Sequence, residues 1–252
     1  MPNNVQKSEW TYGAVPLGRN ETHDKVVEMM EREPRGKVLD VPTGTGILAA
    51  RLKKMGFEVS CCDINASYFS APGLKIELGD LNQSLPYLDT TFDYLICLDG
   101  IEHTENPFNA IREFRRTLKK EGKLFISLPN YLNIERRLRF LFTGSLSKIP
   151  SHGTVREAWK GDLSMSHLNP LTYPLLKFVL EHYGFRIIQL ERDREKPKMK
   201  WLLPFVWLIR LGGRFTSKER KEAYRLEETV SEDIIMGGNT LILVAQKTIE
   251  RE

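Results

Sequence analysis

The chain has 252 residues, 41% of them hydrophobic and 28% charged, enough to bury a full core, and one large α/β domain with insertions is the natural expectation. A net charge of +4 is too weak to imply a nucleic-acid partner without a concentrated basic patch. No apolar run approaches the ~20 residues needed to span a bilayer, and the opening MPNNVQKSEW lacks the basic-then-apolar pattern of a signal peptide.

In chain order, KVLDV (37–41) reads as a strand and ILAARLKKM (47–55) as a helix ending at Gly56. FEVSCCDI (57–64), LKIELGD (74–80) and FDYLICLD (92–99) are the next strands. A helix is predicted from Pro107 to Lys120, stopped at Gly122, followed by KLFISLPN (123–130). PLLKFVLEHYG (174–184) is helical, FRIIQLE (185–191) is the sixth strand and NTLILVAQK (239–247) the last. Short strands apolar on both faces, joined by crossover-length connections, indicate a Rossmann-like α/β fold with helices on both sides of a parallel sheet. Cys61, Cys62 and Cys97 fall in strand-like segments, which suggests reduced core thiols and a cytoplasmic protein.

Two segments interrupt the alternation, residues 131–169 after the fifth strand and 192–238 after the sixth. Ligands of open α/β sheets bind beyond the carboxyl ends of the parallel strands. If the sixth strand is parallel to the others, both insertions stand over that edge as a lid or substrate-recognition layer within one domain.

The turn after the first strand presents backbone N–H groups and the positive end of a helix dipole. Its letters GTGILA also match the dinucleotide fingerprint, with Asp63 near the distance of a ribose-binding acid, so an NAD-dependent oxidoreductase is one reading. Asp40, Asp63, Asp80 and Asp99 end the first four strands. One such acid is ordinarily a cap or turn residue. Four along one edge suit a ligand with a cationic centre, an ammonium group, a ribose diol and an exocyclic amine, and Asp40 is a poor neighbour for a pyrophosphate. The chain also lacks a Tyr-x-x-x-Lys pair for hydride transfer.

The motifs VLDVPTGTG (38–46), CCDI (61–64), GDL (79–81), FDYLICLDGIEH (92–103) and LKKEGKLFISLPN (118–130) together resemble the class I S-adenosylmethionine-dependent methyltransferases. The resemblance is to the small-molecule branch that includes quinone-biosynthesis and methionine-biosynthesis W-type enzymes, and it covers roughly residues 20 to 190 plus the final strand. It implies a seven-stranded, mostly parallel sheet with an antiparallel last strand, and S-adenosylmethionine as cofactor. Pro42 replaces the first glycine of the usual loop. By this resemblance Asp40, Val41, Pro42, Thr43, Gly44, Thr45 and Gly46 hold the methionine part. Asp63 accepts from the ribose with Ile64 on the adenine, Asp80 and Leu81 meet the adenine edge, and Leu98 and Asp99 line the floor. Tyr12 and Arg19 lie in a segment that relatives often fold across the cofactor.

Methyl transfer from a sulfonium needs alignment and desolvation first, and a base only if the nucleophile carries a proton. His103, just past the fourth strand, is the candidate base; its alternative role is to cap or pack the helix beginning near Pro107. The first insertion adds Arg136, His152, Trp159 and His167 as candidate substrate contacts. The histidines lack zinc-type spacing, so no metal is assigned. In the second insertion, KPKMKWLLPFVWLIRLGGR (196–214) sets tryptophans between basic residues. It reads either as an interfacial membrane contact through 198–214 or as a lid helix packing its tryptophans on the main domain. A small-molecule or lipid-linked acceptor accommodates both insertions, with oxygen as the expected methylation site and carbon or nitrogen as alternatives. A non-catalytic protein that binds the cofactor is a further alternative. Nucleic-acid methylation is disfavoured, because DGIEH stands where an Asn/Asp-Pro-Pro-aromatic motif would be.

Overall fold

A computed structural model describes residues 20–158, 166, 167 and 169–248. Seven strands, β1 (Lys37–Asp40), β2 (Glu58–Asp63), β3 (Ile76–Leu78), β4 (Phe92–Cys97), β5 (Leu118–Pro129), β6 (Phe185–Arg192) and β7 (Thr240–Lys247), form one sheet in the order β3-β2-β1-β4-β5-β7-β6. β7 runs antiparallel to both β5 and β6, and the other pairings are parallel. Because β5 and β6 both oppose β7, β6 points the same way as β1–β5. The mostly parallel sheet and its antiparallel last strand are as expected.

Helices cover both faces. On one face α1 (Asn20–Glu31) and α2 (Ile47–Lys54) pack Val26, Met30, Leu48 and Leu52 onto Val38, Ile96 and Val244. On the other, α3 (Pro107–Thr117) and α5 (Tyr173–His182) pack Ile111, Phe114, Leu176 and Leu180 onto Leu39, Leu95 and Leu243. α3 buries Pro107, Ala110, Ile111 and Phe114, the i, i+3, i+4, i+7 stripe of an amphipathic helix. It stops at Thr117, three residues before the expected Lys120. Leu118 is fully buried and pairs with Phe92, so the sheet captures the chain there. Lys119 holds Asp93 at 2.8 Å, and Lys247 Nζ donates to the carbonyls of Arg115 and Leu118 near the helix end. With Thr90 and Thr91 N–H donating to the carbonyls of Arg116 and Thr117, the helix end is satisfied without a glycine.

Cys61, Cys62 and Cys97 are free, buried thiols in β2 and β4. Burial pushes the Cys61 and Cys62 thiols up to about 12.

Both insertions leave the carboxyl edge of the sheet. The first contributes α4 (Ile134–Thr143), and the second contributes α6 (Leu203–Arg214), α7 (Lys218–Ala223), α8 (Leu226–Thr229) and α9 (Glu232–Ile235). They pack on each other through Ile134, Met199, Leu202, Val206, Ile235 and Met236. Among the described residues no helix is long and apolar enough to cross a membrane.

Candidate active site

A cavity of about 520 Å³ opens at the carboxyl edge of the sheet. The β1–α2 loop forms one wall through Val41, Pro42, Thr43, Gly44 and Thr45, and Asp63 with Ile64 forms the next. Asp80 and Leu81 follow β3, and Leu98 and Asp99 line the floor past β4. Eleven of the thirteen residues expected around the cofactor therefore share one cavity.

The other two stand behind its wall. Asp40 is 2% exposed and does not line the cavity. Its Oδ2 accepts from the Thr43 hydroxyl at 2.8 Å, and the carboxyl also accepts from the Ala49 backbone N–H. It fastens the loop to the start of α2, so the argument that Asp40 itself meets a ligand at the rim gives way to a supporting role. Burial pushes its carboxyl up to about 7, with hydrogen bonding from Thr43 opposing and the charge of Asp63 adding. Gly46 likewise serves the turn. Its φ is +77°, and a Cβ there would lie 2.5 Å from the Phe69 ring.

Asp63 is held in place by the loop it faces. Its Oδ2 accepts from Gly44 N–H at 2.8 Å, and its Oδ1 from Asn65 N–H at 3.0 Å. Asp80 Oδ1 accepts from the backbone and side-chain amides of Asn82. Asn82 Oδ1 in turn accepts from Glu105 and Asn106 N–H, joining the β3 and β4 loops. Ile64 is 55% exposed at the cavity, an apolar side chain left open beside a carboxylate.

A second group of side chains lies beyond β4. Glu102, His103 and His167 each bring a donor atom within 4.8 Å of the others. The two imidazoles meet edge-on at 4.9 Å between centroids. His167 Nδ1 lies 3.2 Å from the Tyr131 hydroxyl, and the Arg136 guanidinium stands 4.9 Å over the Tyr131 ring. Glu102 is 1% exposed and its Oε2 has no hydrogen-bond partner, nor has the buried His103 Nδ1. Burial and then the charge of Asp99 raise the Glu102 carboxyl to about 8, so it holds its proton at neutral pH. No sequence spacing signals this group as a metal site, yet the fold gathers three donors that one divalent cation can bridge.

Of the candidate substrate residues, Arg136 and His167 line the cavity. His152 is exposed and lies away from its lining. Tyr12, Arg19 and Trp159 lie outside the described residues. Sequence reasoning passed over Glu102, although it stands next to His103, and also His23, Asn82 and Thr240. His23 comes from α1, over which no element was read; burial lowers its imidazole.

The family profile of the methyltransferase domain matches residues 18–190. The chain belongs to this family. It is 28% identical over 181 residues to the demethylmenaquinone methyltransferase of Thermotoga maritima, covering 65% of this chain and 76% of that protein. It is 33% identical over 103 residues to the ubiquinone biosynthesis O-methyltransferase of Rickettsia typhi, covering 37% of this chain and 41% of that one. Among solved structures, a SAM-dependent methyltransferase from Archaeoglobus fulgidus superposes with a TM-score of 0.57 at 20% identity, over 89% of this chain and 94% of its own. The [4+2]-cyclase SpnF superposes at 0.54, also 20% identical, over 90% and 81%. The same fold thus carries more than one chemistry, and the reaction has to be argued from the site.

Family membership decides between the methyltransferase and NAD-dependent readings in favour of the first. S-adenosylmethionine is the cofactor, and the cavity fits it. The methyltransferase offers backbone bare of a side chain at Gly44, carboxylates at Asp63, Asp80 and Asp99, and apolar side chains at Ile64, Leu81 and Leu98. That donor set suits hydroxyls, an amine and a cationic sulfur, whereas no basic side chain of the β1–α2 loop faces the cavity to offset a pyrophosphate.

Proposed function

We propose that this methyltransferase acts on an oxygen of a small, lipid-like acceptor of the quinone-precursor type, with His103 as the proton acceptor. The names of the relatives motivate the acceptor class. The observation that carries the reading is the Glu102–His103–His167 group, placed past β4 in the cavity that also holds the expected cofactor residues.

Residues 43–45 and Asp63, Asp80 and Asp99 would hold the cofactor, with Ile64 and Leu81 against its base. When bound, S-adenosylmethionine supplies an electrophilic methyl group on a sulfonium and leaves as a neutral thioether. His103 takes the hydroxyl proton as the oxygen is methylated. His167, oriented through the Tyr131 hydroxyl, fixes the edge of the His103 ring. Neutral Glu102 adds no competing negative charge at pH 7. The Arg136 guanidinium supplies a cation for an anionic or phenolate form of the acceptor. Leu98 and Leu81 keep the floor dry, which strengthens each of these interactions.

The test is His103→Ala assayed by S-adenosylhomocysteine release with catechol and hydroquinone acceptors, beside calorimetric titration of the cofactor. Turnover is expected to fall about 100-fold or more with cofactor affinity retained, and to survive chelation in the unaltered protein. Unchanged turnover in the variant overturns the base. The 4.8 Å donor spacing favours one rival reading, a divalent cation that chelates the acceptor. Turnover that stops in EDTA and returns with Mg²⁺ or Zn²⁺ would assign the cluster to that cation.

A further inference from the structure

We propose that the outer faces of α4 and α6 seat the protein on an anionic lipid bilayer.

The two sequence readings of 198–214 differ in where the tryptophans go. In the folded chain neither packs on the main domain: Trp201 is 72% exposed and Trp207 60%. They have company. Leu203, Phe205, Leu208 and Phe215 are exposed on and beside α6, and Phe140, Leu141, Phe142 and Ile149 on and after α4. With Tyr224, the two insertions thus carry eleven of the nineteen exposed large hydrophobic residues among those described. The inner sides of the same elements are already buried together through Ile134, Leu202 and Val206, so the outer sides are surplus to the fold. A concentration of this kind marks an interaction surface rather than ordinary scattered exposure.

Charge selects the partner. Residues 136–149 and 196–218 contain ten basic residues and no acidic one. Some are engaged within the protein, Lys196 by Glu135 and Arg210 by Glu232. Arg139, Lys148, Lys198, Lys200 and Arg214 are exposed and take no carboxylate partner among the described residues. A second copy of this chain would bring like charges face to face across the apolar patch. A bilayer with anionic headgroups accepts both parts, the aromatic and aliphatic side chains at its interface and the basic rim at its phosphates. α6 is twelve residues long, about 18 Å at the helical rise, which suits lying in the interface and not crossing it.

The seat also orients the cavity. Arg136, in the first turn of α4, lines it, while Phe140–Phe142 in the last turn belong to the patch. One ten-residue helix, about 15 Å long, therefore joins the cavity wall to the lipid surface. An acceptor with an isoprenoid or acyl tail can keep the tail in the bilayer while its head enters the cavity.

Vesicle binding is read without cofactor or acceptor, so its failure and the failure of the reaction proposed above are separable. The purified protein should cosediment with phosphatidylcholine vesicles containing phosphatidylglycerol at low salt, and less so at high salt or without the anionic lipid. Lys198→Glu with Lys200→Glu should weaken partitioning more than about tenfold, and Phe142→Glu with Trp207→Glu should abolish it. Cofactor titration of both variants checks that the main fold is intact. Absence of cosedimentation at low salt overturns the proposal. So does an unaltered protein that elutes as a dimer and becomes monomeric in the Phe142→Glu, Trp207→Glu variant, since that assigns the patch to a second copy.

Discussion

Asp40 separates what position in a sequence implies from what a side chain touches. It ends β1 at the ligand edge, yet its carboxyl is folded under the loop and bonded to Thr43 and Ala49. Its consequence is a pH dependence. The carboxyl titrates near 3.8 when unfolded and at about 7 when folded, so between those values the folded state binds more protons and stability falls as pH rises. Glu102, raised to about 8, acts in the same direction, while His23, lowered by burial, opposes it below neutrality. Urea unfolding of the ligand-free protein should show a midpoint that declines less from pH 5 to pH 8 in Asp40→Asn than in the unaltered chain. The asparagine keeps an acceptor for Thr43 but has no proton to lose. Equal slopes would mean that Asp40 does not titrate in this range. The row of acids was legible because strand ends can be located from apolar runs. Whether a given acid faces the cavity or the helix behind it depends on side-chain direction at the loop, which letters do not encode.

At the level of elements, the β1–α2 turn is the most demanding stretch of backbone near the cavity. Gly46 combines a left-handed φ with a Cβ position already occupied by Phe69 and Ala71. Gly46→Ala should cost about 2–4 kcal/mol, combining left-handed strain with overpacking. It should also weaken cofactor binding by displacing Thr43–Thr45; denaturation midpoints and calorimetry measure the two effects. All seven strands could be located from the sequence through their apolar segments, although β5 begins at Leu118, five residues before the expected start, because the polar KKEG stretch joins the sheet. α1 was not, since its first half, NETHDK, is polar and only Val26, Val27, Met29 and Met30 supply an apolar face. The end of α3 was misplaced because strand pairing at Leu118 overrides a helical propensity that continues through Lys119 and Lys120. α6 posed a different difficulty. Every residue from Leu203 to Ile209 is apolar, so the first turns of the helix do not say which face turns inward, and only the fold could show Trp207 and the preceding Trp201 exposed.

For the molecule as a whole, the two insertions pack on each other at the carboxyl edge of the sheet, but among the described residues only the first reaches the cavity, through Arg136 and His167. The sheet stores Cys61 and Cys62 in β2 and Cys97 in β4, on either side of β1, each buried and each protonated at neutral pH. Thiol reagents attack thiolates that they can reach, and here they can reach none until the parallel strands part. Ellman's reagent should therefore label the native protein at the rate of its rarest openings and release three equivalents together, with saturating S-adenosylmethionine slowing the release. Prompt labelling of one equivalent would mean that β2 frays by itself. The chain carries its own clock for cooperative opening, wound into the strands that underlie the cofactor cavity.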